Sequence, residues 1–136
     1  MKRVLSIIAA LLLTLTAAWA QPSGNWTDAG NYASEYKSEE VNGETVIIHI
    51  ENAAQLARLA YENNVLNKYY TLTVESFLDA DIDLSGHYWI PINYQGRDIF
   101  NRLKFKAQGH TISGMTVNNQ VKAGLFGYSK YCIVQN

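Results

Sequence analysis

The apolar pattern changes its period three times along the chain. Val4 to Leu15 is apolar apart from Ser6 and Thr14, with no helical or strand periodicity in its polar positions. Thr45-Val46-Ile47-Ile48-His49-Ile50 is a β-branched run after Asn42-Gly43, a turn signal, and predicts a strand. The period then becomes helical. Ala53, Leu56, Leu59 and Ala60 fall on one stripe, Asn52 is a good N-cap, and Gln55 three residues on completes a capping box. A short amphipathic helix is expected, ending at Asn63-Asn64 and packed over the open end of a sheet or stack. From Thr71 onward only strands and turns are expected. They are Thr71–Val74, Asp79–Leu84 after Phe77-Leu78, a short apolar segment Tyr88–Ile92, Leu103–Lys106, His110–Val117 and a last strand Tyr131–Val134.

Residues 1–20 leave the fold argument. Met1-Lys2-Arg3 is a short positive start, the apolar run follows, and Ala18-Trp19-Ala20 offers small residues where a signal peptidase reads. These are the three parts of a cleavable signal peptide, with cleavage expected before Gln21 and a secreted or cell-surface product. The mature chain, Gln21 to Asn136, keeps nine Lys and Arg against twelve Asp and Glu, a net charge of −3. Its length suits one domain. No apolar stretch after Gln21 is long enough to span a membrane. The acidic balance without a basic stripe argues against a nucleic-acid partner. Cys132 is the only cysteine, so no internal disulfide can form. It reads as a small hydrophobe in a strand.

Residues 21–44 are polar, with Trp26, Tyr32 and Tyr36 among them, and predict a leading arm with little regular structure. Asn25-Trp26-Thr27 matches a glycosylation sequon. Residues 45–136 are expected to form the structured part. Ile112 and Ile133 recur in similar strand-turn contexts, and so, after a longer loop, do Leu84 and Ile112. Short strands at a spacing of about 20 to 30 residues suit a solenoid. A sandwich would want strands at closer intervals with hairpin turns, and Asn-Gly and Asp-Gly pairs are absent after Gly43.

Four segments then resemble the GLUG-motif secreted and surface proteins of the Bacteroides type. They are Ala80–Gly86, Tyr88–Ile92, Gly109-His110-Thr111-Ile112-Ser113-Gly114-Met115, and Gly124-Leu125-Phe126-Gly127, which carries the Gly-Leu-any-Gly signature. The resemblance covers about residues 45 to 136, including the helix at Asn52–Ala57. It implies a mainly β fold: the start of a right-handed parallel β-helix with one short N-terminal capping α-helix, carrying the first rungs of a longer array. It also implies an adhesin-like role, with Gly109, His110, Ile112, Gly114, Trp89 and Gly124 to Gly127 as structural positions. The family turn Phe-Asp-Gly-Asn-Gly-His is replaced here by Phe105-Lys106-Ala107-Gln108-Gly109-His110. In Pro91-Ile92-Asn93 an Asn stands for Gly, and Asn tolerates the left-handed region better than most residues.

Candidate chemistry is sparse. Asp79, Asp81 and Asp83 alternate and are expected on one strand face, solvated and pointing away from Ile82 and Leu84. A cation-assisted polysaccharide lyase or hydrolase is the competing reading of that face, and a fragment without independent function is another. His110 follows the Gly109 turn and reads as a strand cap. His49 reads as a half-exposed strand residue. No catalytic residue, metal site or cofactor is assigned. The partner signal is aromatic: 9 Tyr and 2 Trp remain in the mature chain. Tyr69, Tyr70, Tyr88 and Tyr94 are the candidate ligand-binding residues, since flat rings stack on sugars and on protein surfaces alike. Trp89 is expected to pack inside. The expected function is a non-enzymatic, adhesin-like interaction protein presenting its surface to a glycan or a host or bacterial surface protein. Self-association is expected through the C-terminal edge, Tyr131 to Val134, because an unpaired strand templates further pairing.

Overall fold

The computed structural model describes residues 21–96, 102–118, 122–129 and 132–136. The expected signal peptide at 1–20 and Tyr131 of the expected C-terminal edge lie outside the described residues. The chain is mainly β with one short α-helix. Its strands are β1 (Ser38–Asn42), β2 (Thr45–Ile50), β3 (Thr73–Leu78), β4 (Ile82–Asp83), β5 (Leu103–Lys106), β6 (Ile112–Ser113) and β7 (Ile133–Gln135). The helix α1 (Ala53–Tyr61) runs into a π-helical turn, Glu62–Leu66.

The larger sheet is mixed, in the order β1-β2-β3-β5-β7, and β4 pairs with β6 in a second, two-stranded sheet. Strands β1 and β2 form an antiparallel hairpin across Gly43-Glu44, where Gly43 takes φ +60°. The other pairings among the described residues are parallel. Thr45 stands beside Thr73, Val74 beside Leu103, and Lys104 beside Ile133. Ile82 stands beside Ile112, and Tyr88 beside Thr116. The chain thus returns beside itself at a nearly constant interval of about 30 residues, within the range of repeat architectures. The shorter interval between Ile112 and Ile133 is therefore no repeat. Those residues belong to different sheets, and hydrophobic alternation alone cannot tell one sheet from another.

Alternation within the strands sorts side chains to the two faces. In β2, Val46, Ile48 and Ile50 are buried. Val74, Ser76 and Leu78 of β3 lie beside them, then Leu103 and Phe105 of β5. Apolar residues stack one pass above another except at Ser76, which lies between Ile48 and Phe105, and each buried apolar side chain contributes about 1.5–3 kcal/mol. The outward residues pair laterally. Glu75 accepts from Lys104 Nζ at 2.6 Å and Lys106 Nζ at 3.0 Å, and the Lys104 ammonium followed by that of Lys106 holds its carboxyl below the usual range. The His49 ring stacks on Phe77 at 5.0 Å, with the Lys106 ammonium 4.5 Å from the Phe77 centroid.

The helix follows β2, and its end reaches the Pro91–Tyr94 turn of the next pass. Asn52 Oδ1 accepts from Gln55 N at 3.0 Å, as the capping pattern predicts, while Gln55 Oε1 accepts from Glu51 N at 2.8 Å, one residue before the cap. Leu56, Leu59 and Ala60 are fully buried and share the core with the strands. The helical run does not stop at Asn63-Asn64. It continues to Leu66 and ends on Asn67 at φ 52°. Asn63 Oδ1 accepts from Asn93 N at 2.9 Å, Asn64 Oδ1 accepts from Tyr94 N at 3.1 Å, and Asn64 Nδ2 donates to Pro91 O at 3.0 Å. Two side-chain amides thus satisfy backbone groups that a neighbouring strand would otherwise pair.

The leading segment departs from the expected unstructured arm. Residues 38–42 form β1, and residues 23–26 join the pass at Tyr88. Ser23 N donates to Gly86 O at 3.0 Å, Tyr88 N to Gly24 O at 2.8 Å, and Trp26 N to Tyr88 O at 2.9 Å. The Trp26 indole N–H donates to Leu84 O at 2.9 Å, and Tyr36 is buried. The polar composition hid this because the segment is held by backbone pairing and by three aromatics, not by an apolar period.

Candidate functional site

Tyr69 and Tyr70 part company in the turn that follows the π-helical segment. Tyr69 is 3% exposed and Tyr70 is 67% exposed. The Tyr69 hydroxyl turns inward to the Glu62 carboxylate, which also accepts from Tyr36 at 2.7 Å. Arg58 Nη2 lies 2.6 Å and Lys68 Nζ 3.1 Å from Glu62 Oε1. Burial by itself would raise the Glu62 carboxyl, but the Tyr69 and Tyr36 hydroxyls and Lys68 together hold it below the usual range. Burial, with the adjoining carboxylate, pushes both tyrosine hydroxyls well above their ordinary value. Tyr69 is thus a structural residue, and its ring offers nothing to a ligand.

Tyr70 lines an open cleft of about 320 Å³ with Glu44, Thr71, Leu72 and Arg102. The cleft lies where three successive passes line up. Thr73 N donates to Glu44 O at 2.8 Å, and Val74 N donates to Arg102 O at 3.0 Å, so the backbone ladder sets the three loops in register. An exposed ring, a carboxylate, a guanidinium and a hydroxyl border one concavity. The ring can stack on a sugar face, and the charged groups can bond its hydroxyls. The volume sits at the small end for ligand sites.

Tyr88 and Tyr94 lie elsewhere. Tyr88 is half-buried and its backbone is paired on both sides, to Asn25 and to Thr116. Tyr94 is half-buried, and its carbonyl accepts from Lys122 Nζ at 2.6 Å. The Lys122 ammonium lies 5.4 Å from the Tyr94 ring and 4.5 Å from that of Tyr128, which is exposed. The four expected tyrosines therefore do not share a site, and Tyr70 borders an open cleft. Tyr128, beside Lys122, was not singled out by the sequence.

The three aspartates do not share a strand face. Asp79 and Asp81 sit at the corner between β3 and β4, and only Asp83 is in a strand. Asp79 accepts from Lys37 Nζ at 2.8 Å and lies 3.0 Å from His49 Nδ1. Lys37 and then His49 hold its carboxyl below the usual range. Asp81 accepts from Thr111 N at 2.9 Å, the first cause of its lowered carboxyl, and lies 3.3 Å from His110 Nδ1. Asp83 accepts from Ser85 N at 2.9 Å. A corner breaks the alternation, so each carboxylate serves a different turn. Among the described residues, no three His, Cys, Asp or Glu side chains gather as a metal site. Cys132 is half-buried, and burial pushes its thiol up, away from the reactive thiolate.

The motif residues are structural. Trp89 is fully buried and donates its indole N–H to Leu125 O at 3.1 Å. Phe126 stands beside Ile92, and Gly127 N donates to Ile92 O at 2.8 Å. A Cβ on Gly127 would lie 2.9 Å from Tyr94 Cα, so two backbones meet where only glycine fits. Gln108 and Gly109 both take positive φ, 54° and 79°, and His110 N donates to Ala107 O at 2.9 Å, closing a tight turn. Gly114 takes φ +67° and Gly124 faces the Phe126 carbonyl. Ile112 stands half-buried beside Ile82. Asn93 takes φ 57°, the left-handed turn that its residue type allows.

The Glu62 cluster escaped sequence reading. Arg58 and Glu62 at i,i+4 were legible as a helix pair, but Tyr36 and Lys68 reach the carboxylate from other segments. Among the described residues no helix is long and apolar enough to cross a membrane. No family model, curated protein or solved structure matches the chain.

Proposed function

We propose that the chain is an exported, adhesin-like interaction protein, non-enzymatic, that binds a glycan in the Tyr70 cleft. Its evenly spaced parallel passes support a further reading, that they are the first rungs of a right-handed parallel β-helix of the GLUG type. The observation that carries the ligand reading is the exposed Tyr70 ring between Glu44 and Arg102, on loops fixed by the backbone ladder. On a glycan array, Tyr70→Ala is expected to weaken binding roughly tenfold, a loss of about 1.4 kcal/mol. Its unfolding free energy should stay within about 0.5 kcal/mol of the parent, as for a surface substitution. Binding unchanged in Tyr70→Ala, or ligands found only among proteins, would overturn the glycan reading.

Self-association belongs to the same reading. β7 lies at one edge of the larger sheet, and Val134, beside the buried Phe105, is 61% exposed. At the opposite edge β1 carries Glu39 and Glu40, charges that discourage edge pairing. Sedimentation is expected to show concentration-dependent association that Val134→Lys abolishes. A concentration-independent monomer would refute it.

A further inference from the structure

The mature amino terminus is itself a reactive site. We infer that Gln21, once freed by cleavage after Ala20, closes to a pyroglutamyl residue seated over the cleft beside Gly86 and Gly114. The inference rests on the export reading, which places Gln21 first in the mature chain.

A glutamine at a free amino terminus holds a nucleophile and an electrophile on one residue. The α-amine attacks Cδ of the side-chain amide. A new N–Cδ bond closes a five-membered lactam, the Cδ–Nε2 bond breaks, and ammonia leaves with a proton from the amine. No oxidant or co-reactant is consumed. The intramolecular attack benefits from the high effective concentration of tethered reactants.

Three features of the fold bear on this residue. Gln21 is exposed, so its side-chain amide is open to the amine that cleavage frees. The chain is pinned two residues later by Ser23 N to Gly86 O at 3.0 Å, and then by the Gly24 and Trp26 bonds to Tyr88. The terminus is thereby held against the body of the protein. Gln21 and Pro22 line a cleft of about 490 Å³ with Ser85, Gly86, Gly114, Met115 and Thr116. The nearby Asp83 carboxylate lies against Gly114 and already accepts from Ser85 N at 2.9 Å. The neutral lactam leaves no unpaired charge against the glycine backbones and Met115. Next to Pro22 it also removes the free amine that an exopeptidase needs, at the end of the segment that pairs with the Tyr88 pass.

The test is the intact mass and amino-terminal chemistry of the protein purified from an exporting host. The expected mass is that of residues 21–136 less one ammonia, with no reactive α-amine and with the loss located at residue 21 by fragmentation of the amino-terminal peptide. Gln21→Asn keeps an amide but cannot form the five-membered ring, so it should retain its amine and the full mass. A wild-type chain beginning at Gln21 with its amine intact would overturn the inference and leave the export reading standing. A chain retaining residues 1–20, or cut elsewhere, would overturn the cleavage reading itself.

Discussion

Glu62→Ala is expected to cost the fold about 3–5 kcal/mol, the range for removing one partner of a buried ion pair. The side chain of Glu62 is 3% exposed, while that of Arg58, its close partner, is 19% exposed and loses its counter-charge. Tyr36 and Tyr69 lose the acceptor for two buried hydroxyls. The Arg58 guanidinium also reaches the Ala33 and Ser34 carbonyls, so the damage should spread to the segment before β1. Glu62→Gln keeps an acceptor for the tyrosines and should cost less. Urea denaturation at neutral pH measures both. A loss under about 1 kcal/mol for the alanine variant would show the cluster to be as weak as a surface pair.

The same carboxylate sets an acid limit. Its folded value lies below the ordinary one, so its contribution is fully present above the unfolded carboxylate range. That contribution fades as the pH falls through the folded value. The acid limb of the stability curve should therefore flatten in Glu62→Gln. Asp79 and Glu75 shift in the same direction, but they are more exposed and add less.

Trp89→Ala is expected to be equally severe, at about 3–5 kcal/mol. The ring is fully buried, the largest such side chain in the core, and its removal leaves a cavity under the Gly124–Gly127 corner. Trp89→Phe restores much of the buried area and removes the indole bond to Leu125 O, which keeps Ile92 N as a donor at 3.0 Å, so the loss should be about 0.5–1.5 kcal/mol. Hydrogen exchange should locate the damage at Ile92 and Gly127, whose amides bond across that corner. Unchanged protection there, with a normal melt, would mean that Trp89 is not the core anchor its burial implies.

The strands β2 and β5, the capping pair Asn52 and Gln55, and the buried face of α1 were all legible in the sequence. They depend on alternation, helical period and short-range side-chain to backbone bonds, which act within a few residues. The positive-φ turn at Asn93 was legible because few residue types tolerate that region. The Tyr69 and Tyr70 pair was readable only as two aromatics. Which ring turned inward depended on Glu62 and Tyr36 arriving from other segments.

The sequence by itself determined the mainly β class, the single helix and the faces that strands and helix bury, because these follow from local period. Tertiary structure alone decided the pairing of Ile112 with Ile82 and not with Ile133, the gathering of four side chains around Glu62, and the separation of the three aspartates. Those outcomes depend on which distant segments lie side by side. A period of two residues specifies a face of a strand but not its neighbour. Only the backbone ladder, with its even return of the chain beside itself, fixes that choice and with it the cleft around Tyr70.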